Sequence, residues 1–178
     1  MTTAEFARPV AIDTIGDGAR TVSIDAGDNE RAALARRFGL KSIDSLAAQF
    51  SILRRNGFPF AEGRVTADVV QSCVVTDEPI AAHVDERVAI RFIPESETAG
   101  GEEEIELEAD DCDTIFYTGG AIDLGEAAAE TMALALDPFP RGPNADAALK
   151  AAGVLSEGEA GPFGALAALK GKLSGEKG

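Results

Sequence analysis

The 178-residue chain has no tryptophan, one histidine, one tyrosine and two cysteines. Cys73 and Cys112 are too few for a disulfide framework and suit a reducing compartment. The lone histidine, His83, has no serine or cysteine motif nearby to act on, so it reads as a surface strand residue. No apolar run approaches the roughly 20 residues a membrane-spanning helix needs. Met1 to Ala11 lack the basic flank and apolar core of a signal peptide. A cytoplasmic location is the expectation. Positive charge is scarce as well: 16 lysines and arginines stand against 31 acids, a formal net charge of −15. A surface that grips RNA through its phosphates must be basic, because that electrostatic contribution dominates affinity. Broad contact with a phosphate backbone is therefore excluded as an expectation, and a basic protein is the better electrostatic match.

What is present is enough for one ordinary core. Hydrophobic residues make up 45% of the chain, and at this length one domain is the default. The most informative stretch runs from Ile122 to Pro140. Asp123 is a good helix N-cap, and Glu126 three residues on can reach back to complete a capping box. Leu124, Ala127, Ala128, Thr131 and Ala135 share one face, which Met132 and Leu134 widen. Glu126 and Glu130 take the opposite side. Asp137-Pro138 and Pro140 stop the helix, since the residue before proline is pushed out of the α region. The spacing predicts a helix over Asp123 to Leu136, docked through its alanine face.

Alternation supplies the rest of the fold. Arg20 to Asp25 reads as a strand. Asp28 can cap a short helix, Asn29 to Phe38, with Gly39 as its C-terminal glycine. Leu46, Ala48, Phe50 and Ile52 alternate and favour a strand, with a helix from Ser42 as the open alternative. Val65, Ala67, Val69, Gln71, Cys73 and Val75 line one face of a long strand. Asp77-Glu78-Pro79 turns, and Val84, Glu86, Val88, Ile90 and Phe92 line the return. Arg64, Asp68, His83, Asp85, Arg87 and Arg91 make the other side wet.

Residues 95–113 form an acidic block that reads as a loop, with Ile105 and Leu107 as a candidate edge strand. No alternating frame of carboxylates around a glycine marks it as a cation loop. Ile115, Phe116 and Tyr117 return to the core. The expected organisation is one domain over 1–143, a flexible linker over 144–161, and a short C-terminal helix over 162–173. In that last segment Pro162 suits a first helical position. Phe163, Leu166, Leu169 and Leu173 form an apolar stripe that either folds back or meets a partner.

Three segments together resemble a known family. They are Gln71-Ser72-Cys73-Val74-Val75-Thr76-Asp77-Glu78-Pro79, the Ile122 to Pro140 stretch, and Gly161-Pro162-Phe163-Gly164-Ala165-Leu166-Ala167-Ala168-Leu169-Lys170. In this order and at these separations they are similar to the bacterial YceD family, the large ribosomal RNA subunit accumulation proteins. The resemblance runs from about Val65 to Leu173. It implies a non-catalytic role in accumulating large-subunit (23S) ribosomal RNA and makes Cys73, Pro79, Asp123, Leu124, Glu126 and Pro138 structural motif positions. Many relatives carry Cys-x-x-Cys at the strand end. Here Thr76 stands at the second position, and a hydroxyl does not replace a thiolate on structural zinc.

The expectation is thus an α+β fold: a mostly antiparallel sheet with a long hairpin, packed by one main capped helix and a short N-terminal helix. No catalytic residue, cofactor or metal is expected. The expected function is that of a non-enzymatic factor working through ribosomal or ribosome-assembly proteins, with RNA contacted indirectly. The alternative is an acidic chaperone that holds a basic ribosomal protein. The candidate partner-binding residues are Phe163, Leu166, Leu169 and Leu173.

Overall fold

The structure, a computed structural model, describes residues 4–95 and 112–154. Its order is β1 (Pro9–Ala11), a 3-10 turn (Ile12–Thr14), β2 (Arg20–Asp25), α1 (Asp28–Phe38), β3 (Ser42–Arg55), β4 (Phe58–Ser72), β5 (Pro79–Pro94), β6 (Asp113–Tyr117), β7 (Ala121–Asp123), α2 (Leu124–Ala135) and α3 (Ala145–Ala151). The described chain divides into two compact units. The larger takes the residues up to Gln71 together with Ala81–Pro138; the smaller takes Ser72–Ile80 and the chain from Phe139 onward.

The larger unit is an α+β body. Five strands lie in the order β2-β3-β4-β5-β6. β2 with β3 and β3 with β4 are antiparallel, while β5 and β6 run parallel. β1 and β7 form a separate antiparallel pair. The β3–β4 hairpin closes on Asn56-Gly57, both left-handed, with φ of 51° and 86°. That is the two-residue turn whose twist matches paired strands, and it starts β4 at Phe58, well before Val65. The Ser42 window is strand throughout. Its register shifts between Ile43 and Ser45, and the extra residue lets Ile43 and Leu46 both enter the core despite opposite parity.

One sheet face is apolar and the other polar, as the alternation predicts. Phe50 and Ile52 of β3, Val65 and Val69 of β4, and Ile90 and Phe92 of β5 are all buried. On the other face, Arg64 pairs with Asp85 at 2.6 Å and His83 meets Asp68 at 2.7 Å. Ser45 donates to Asp68 at 2.8 Å, so two neighbours hold that carboxyl below its usual range, His83 foremost. These exposed cross-strand pairs fix register more than they add stability.

Both longer helices pack on β3. α1 starts from Gly27, not from Asp28, which is already helical and pairs with Arg31 at 2.7 Å. Glu30 reaches back to the Gly27 N–H at 2.7 Å, and Gly39 closes the helix at φ 66°. α2 buries Leu124, Gly125, Ala127, Ala128, Ala129 and Met132. The buried stripe is rotated from the expected one: Leu134 is 87% exposed and Ala135 lies outside. With three consecutive alanines buried, the helix sits close to the sheet, and its last turn points away from the core.

The smaller unit begins where β4 ends. Cys73 and Val75 are not in a strand; 74–76 form a turn. The Cys73 N–H donates to the Glu78 carbonyl at 2.8 Å and the Asp77 N–H to the Cys73 carbonyl at 2.9 Å. Asp77 takes a left-handed φ of 58°, and the Ser72 hydroxyl donates to its carboxylate. Ala145–Ala151 is helical within the stretch read as a linker. Asp-Ala-Ala-Leu-Lys-Ala are mostly strong helix formers, and Ala145 is buried. The tail stripe and the Ile105–Leu107 strand lie outside the described residues. No helix among the described residues is long and apolar enough to cross a membrane.

Gly125 gives a sharp expectation. A Cβ there would lie 1.8 Å from the Phe6 carbonyl oxygen, and backbone cannot yield as a side-chain tip can. Alanine gains about 1 kcal/mol of helix propensity over glycine, but overpacking on this scale costs about 1–3 kcal/mol or more. Gly125→Ala should therefore lower the melting temperature by several degrees. Gly120→Ala, where a Cβ meets nothing within 4 Å, should leave it within a degree or two. Thermal melts of both variants decide the point.

Candidate functional site

The segment Ile122-Asp123-Leu124-Gly125-Glu126 joins three elements. The Asp123 carboxylate accepts from the N–H groups of Gly125 at 2.9 Å and Glu126 at 3.2 Å, the expected N-cap. The same oxygen accepts from the Arg8 N–H at 2.8 Å. Leu124 and Ile122 are buried, and Phe6 is fully buried beside them. The Leu124 N–H donates to the Arg8 carbonyl at 3.2 Å.

Glu126 does not complete a capping box. Its two oxygens accept from both arms of Arg37 on α1, at 2.9 and 2.5 Å. A two-pronged charge-assisted pair outweighs one bond to a backbone N–H. Arg37 also pairs with Glu5 at 3.2 Å, and this company, Glu126 foremost, raises its pKa. Arg8 makes the matching two-pronged pair with Glu30 at 2.7 and 2.9 Å, which raises Arg8 and lowers Glu30. Residues 5–8 are thereby tied to both helices. No sequence motif announces Glu5, Phe6 and Arg8; only the acid–base pairing could have hinted at them.

Beside this junction opens a cleft of about 220 Å³. Phe92, Ile115, Tyr117 and Ala127 line it, with Asp123 and Glu126 in its wall. Ile115 and Tyr117 pack against the core. Phe116 does not return to it, being 51% exposed, because alternation turns its side chain to the other face. A second cleft, about 290 Å³, lies between α1 and β3 and gathers positive charge from Arg31, Arg36 and Lys41. Arg31 is already engaged by Asp28 at 2.7 Å and the Ala26 carbonyl at 2.6 Å.

In the smaller unit, Cys73 is buried. Its sulfur accepts from the Gly142 N–H at 3.3 Å. That bond and the Thr76 hydroxyl lower its pKa to about 7. This donor set does not fit structural zinc: one thiol faces an N–H and a hydroxyl, where zinc needs further thiolates or imidazoles. Among the described residues, no three His, Cys, Asp or Glu side chains gather as metal ligands. The Thr76 hydroxyl also lies 2.9 Å from the Glu78 carboxylate, which accepts from the Asn144 amide at 2.8 Å. Pro79 opens β5 and Pro138 follows α2, both exposed. Phe163, Leu166, Leu169 and Leu173 lie outside the described residues. His83 meets the Asp68 carboxylate at 2.7 Å on the open sheet face.

A protein-family model described as Large ribosomal RNA subunit accumulation protein YceD matches residues 61–170. No curated protein and no solved structure matches the chain significantly.

Glu126→Gln leaves Arg37 half-paired and should cost about 1 kcal/mol, less at high salt. Glu130 has the opposite sign: burial, then the nearby Glu126 charge, raise its pKa. Its contribution is full below the unfolded-state pKa and fades as pH rises through the folded value, so at pH 7 its charge is a cost. Glu130→Gln should raise stability at pH 7 by no more than about 0.5 kcal/mol, with the difference vanishing in acid. Denaturant melts at two pH values check both. The purified protein should also carry no stoichiometric zinc; about one Zn²⁺ per chain by elemental analysis, or unfolding by chelator, would contradict this.

Proposed function

The chain belongs to the YceD family of large ribosomal RNA subunit accumulation proteins, and on that premise we propose that it is a non-enzymatic cytoplasmic factor acting through basic ribosomal or assembly-protein partners. The match across residues 61–170 carries the reading. The net charge of −15 supports a protein intermediary, since a polyanion gains nothing from a second one. The description of the family names no chemistry. Large-subunit RNA then benefits indirectly, through a partner delivered or held in a competent state.

The tail is the second contact in this reading. Phe163, Leu166, Leu169 and Leu173 form a recognition stripe at helical spacing.

Truncation after Val154 removes the stripe and leaves all described elements. The truncated protein should melt within a degree or two of the parent. Cells carrying only that version should show a lowered ratio of large- to small-subunit RNA. Full restoration of the ratio would remove the tail from the function, and loss of folding would assign it to the core.

A further inference from the structure

We propose that the edge of β6 that pairs with no strand among the described residues is a docking site for an extended, lysine- or arginine-rich segment of a partner protein, which adds a strand to the sheet. The proposal deepens the reading that the protein works through a basic partner, and rests on it. β6 pairs with β5 on one side, and among the described residues no strand pairs with its other side. An unpaired edge presents a row of N–H and C=O groups that templates another strand. Proteins usually blunt such an edge with lysine or proline, and Asp113-Thr114-Ile115-Phe116-Tyr117 has neither.

The edge also has a place for a side chain. The adjoining cleft of about 220 Å³ reaches from Phe92 and Ile115 to Ala127. That is below the roughly 300–1,000 Å³ of small-molecule sites and fits one apolar side chain. Phe116, half exposed on the strand itself, adds an aromatic anchor of the kind that dominates contact energetics. Charge selects the occupant. Asp113 opens the strand exposed, Asp123 lies in the cleft wall, and the whole chain is at −15. A cationic strand is attracted and an anionic one repelled. RNA fits less well, since the cations Arg31, Arg36 and Lys41 gather at the α1–β3 cleft instead.

The test uses the full-length chain and a short fluorescein-labelled peptide alternating lysine with valine. Anisotropy should report saturable binding that weakens with added salt. Phe116→Ser, with an unchanged melting temperature, should weaken it about tenfold, the equivalent of 1.4 kcal/mol. The same peptide N-methylated at alternate nitrogens cannot pair as a strand and should bind about as poorly, a readout that needs no variant to fold. No binding, equal binding of the N-methylated peptide, or equal binding of a glutamate–valine peptide would overturn the proposal. So would displacement of the peptide by oligouridylate in a manner that Phe116→Ser abolishes, which would give the edge to RNA. An unchanged subunit-RNA ratio in cells lacking the protein would overturn the functional reading alone, because the edge is judged by the peptide.

Discussion

The larger unit depends on the meeting of the Phe6–Arg8 backbone with the first turn of α2. Asp123 divides one carboxylate oxygen between its own helix and the Arg8 N–H. Gly125 has no side chain because the Phe6 carbonyl occupies its place. With the backbones in contact, Phe6 becomes fully buried, and Arg8 and Arg37 each find a two-pronged carboxylate on a different helix. α1, α2 and the N-terminal segment are thus positioned by one another. The sheet supplies their floor, and the junction fixes where on that floor they stand.

This arrangement explains how an acidic chain uses its few cations. Arg8, Arg31, Arg37 and Arg64 are all paired with carboxylates in the fold. Each pair contributes little alone at the surface, but together they place positive charge beside structural acids. Asp113, at the start of β6, stands exposed.

What could be read from the sequence was what local chemistry decides. The α2 cap, the Gly39 stop and the apolar alternation of β3, β4 and β5 depend on neighbours within a few residues, and residue type reports them. Asn56-Gly57 was equally local and carried its signal in plain view; it sets the true start of β4. Other features depend on distant partners. Glu126 abandons its own helix cap for Arg37, 89 residues away. Leu134 faces outward because the alanine run, set against the sheet, decides the rotation of α2. The shift at Ile43 reverses the parity of β3, which no hydrophobic period shows. The cleft beside β6 was invisible for the same reason, being assembled from β5, β6, β7 and α2.

The Arg8–Asp123 bond spans 115 positions, and this separation has a temporal side. During synthesis the N-terminal segment emerges long before its seat exists, so Phe6 stays uncovered until residues near 125 have left the ribosome. Contacts so remote in sequence slow folding, because the loop must close before they reward it. The larger unit is therefore completed late, once the first turn of α2 is there to bury the Phe6–Arg8 segment. Until then the nascent chain carries an apolar N-terminal segment beside the machine whose RNA its family supports.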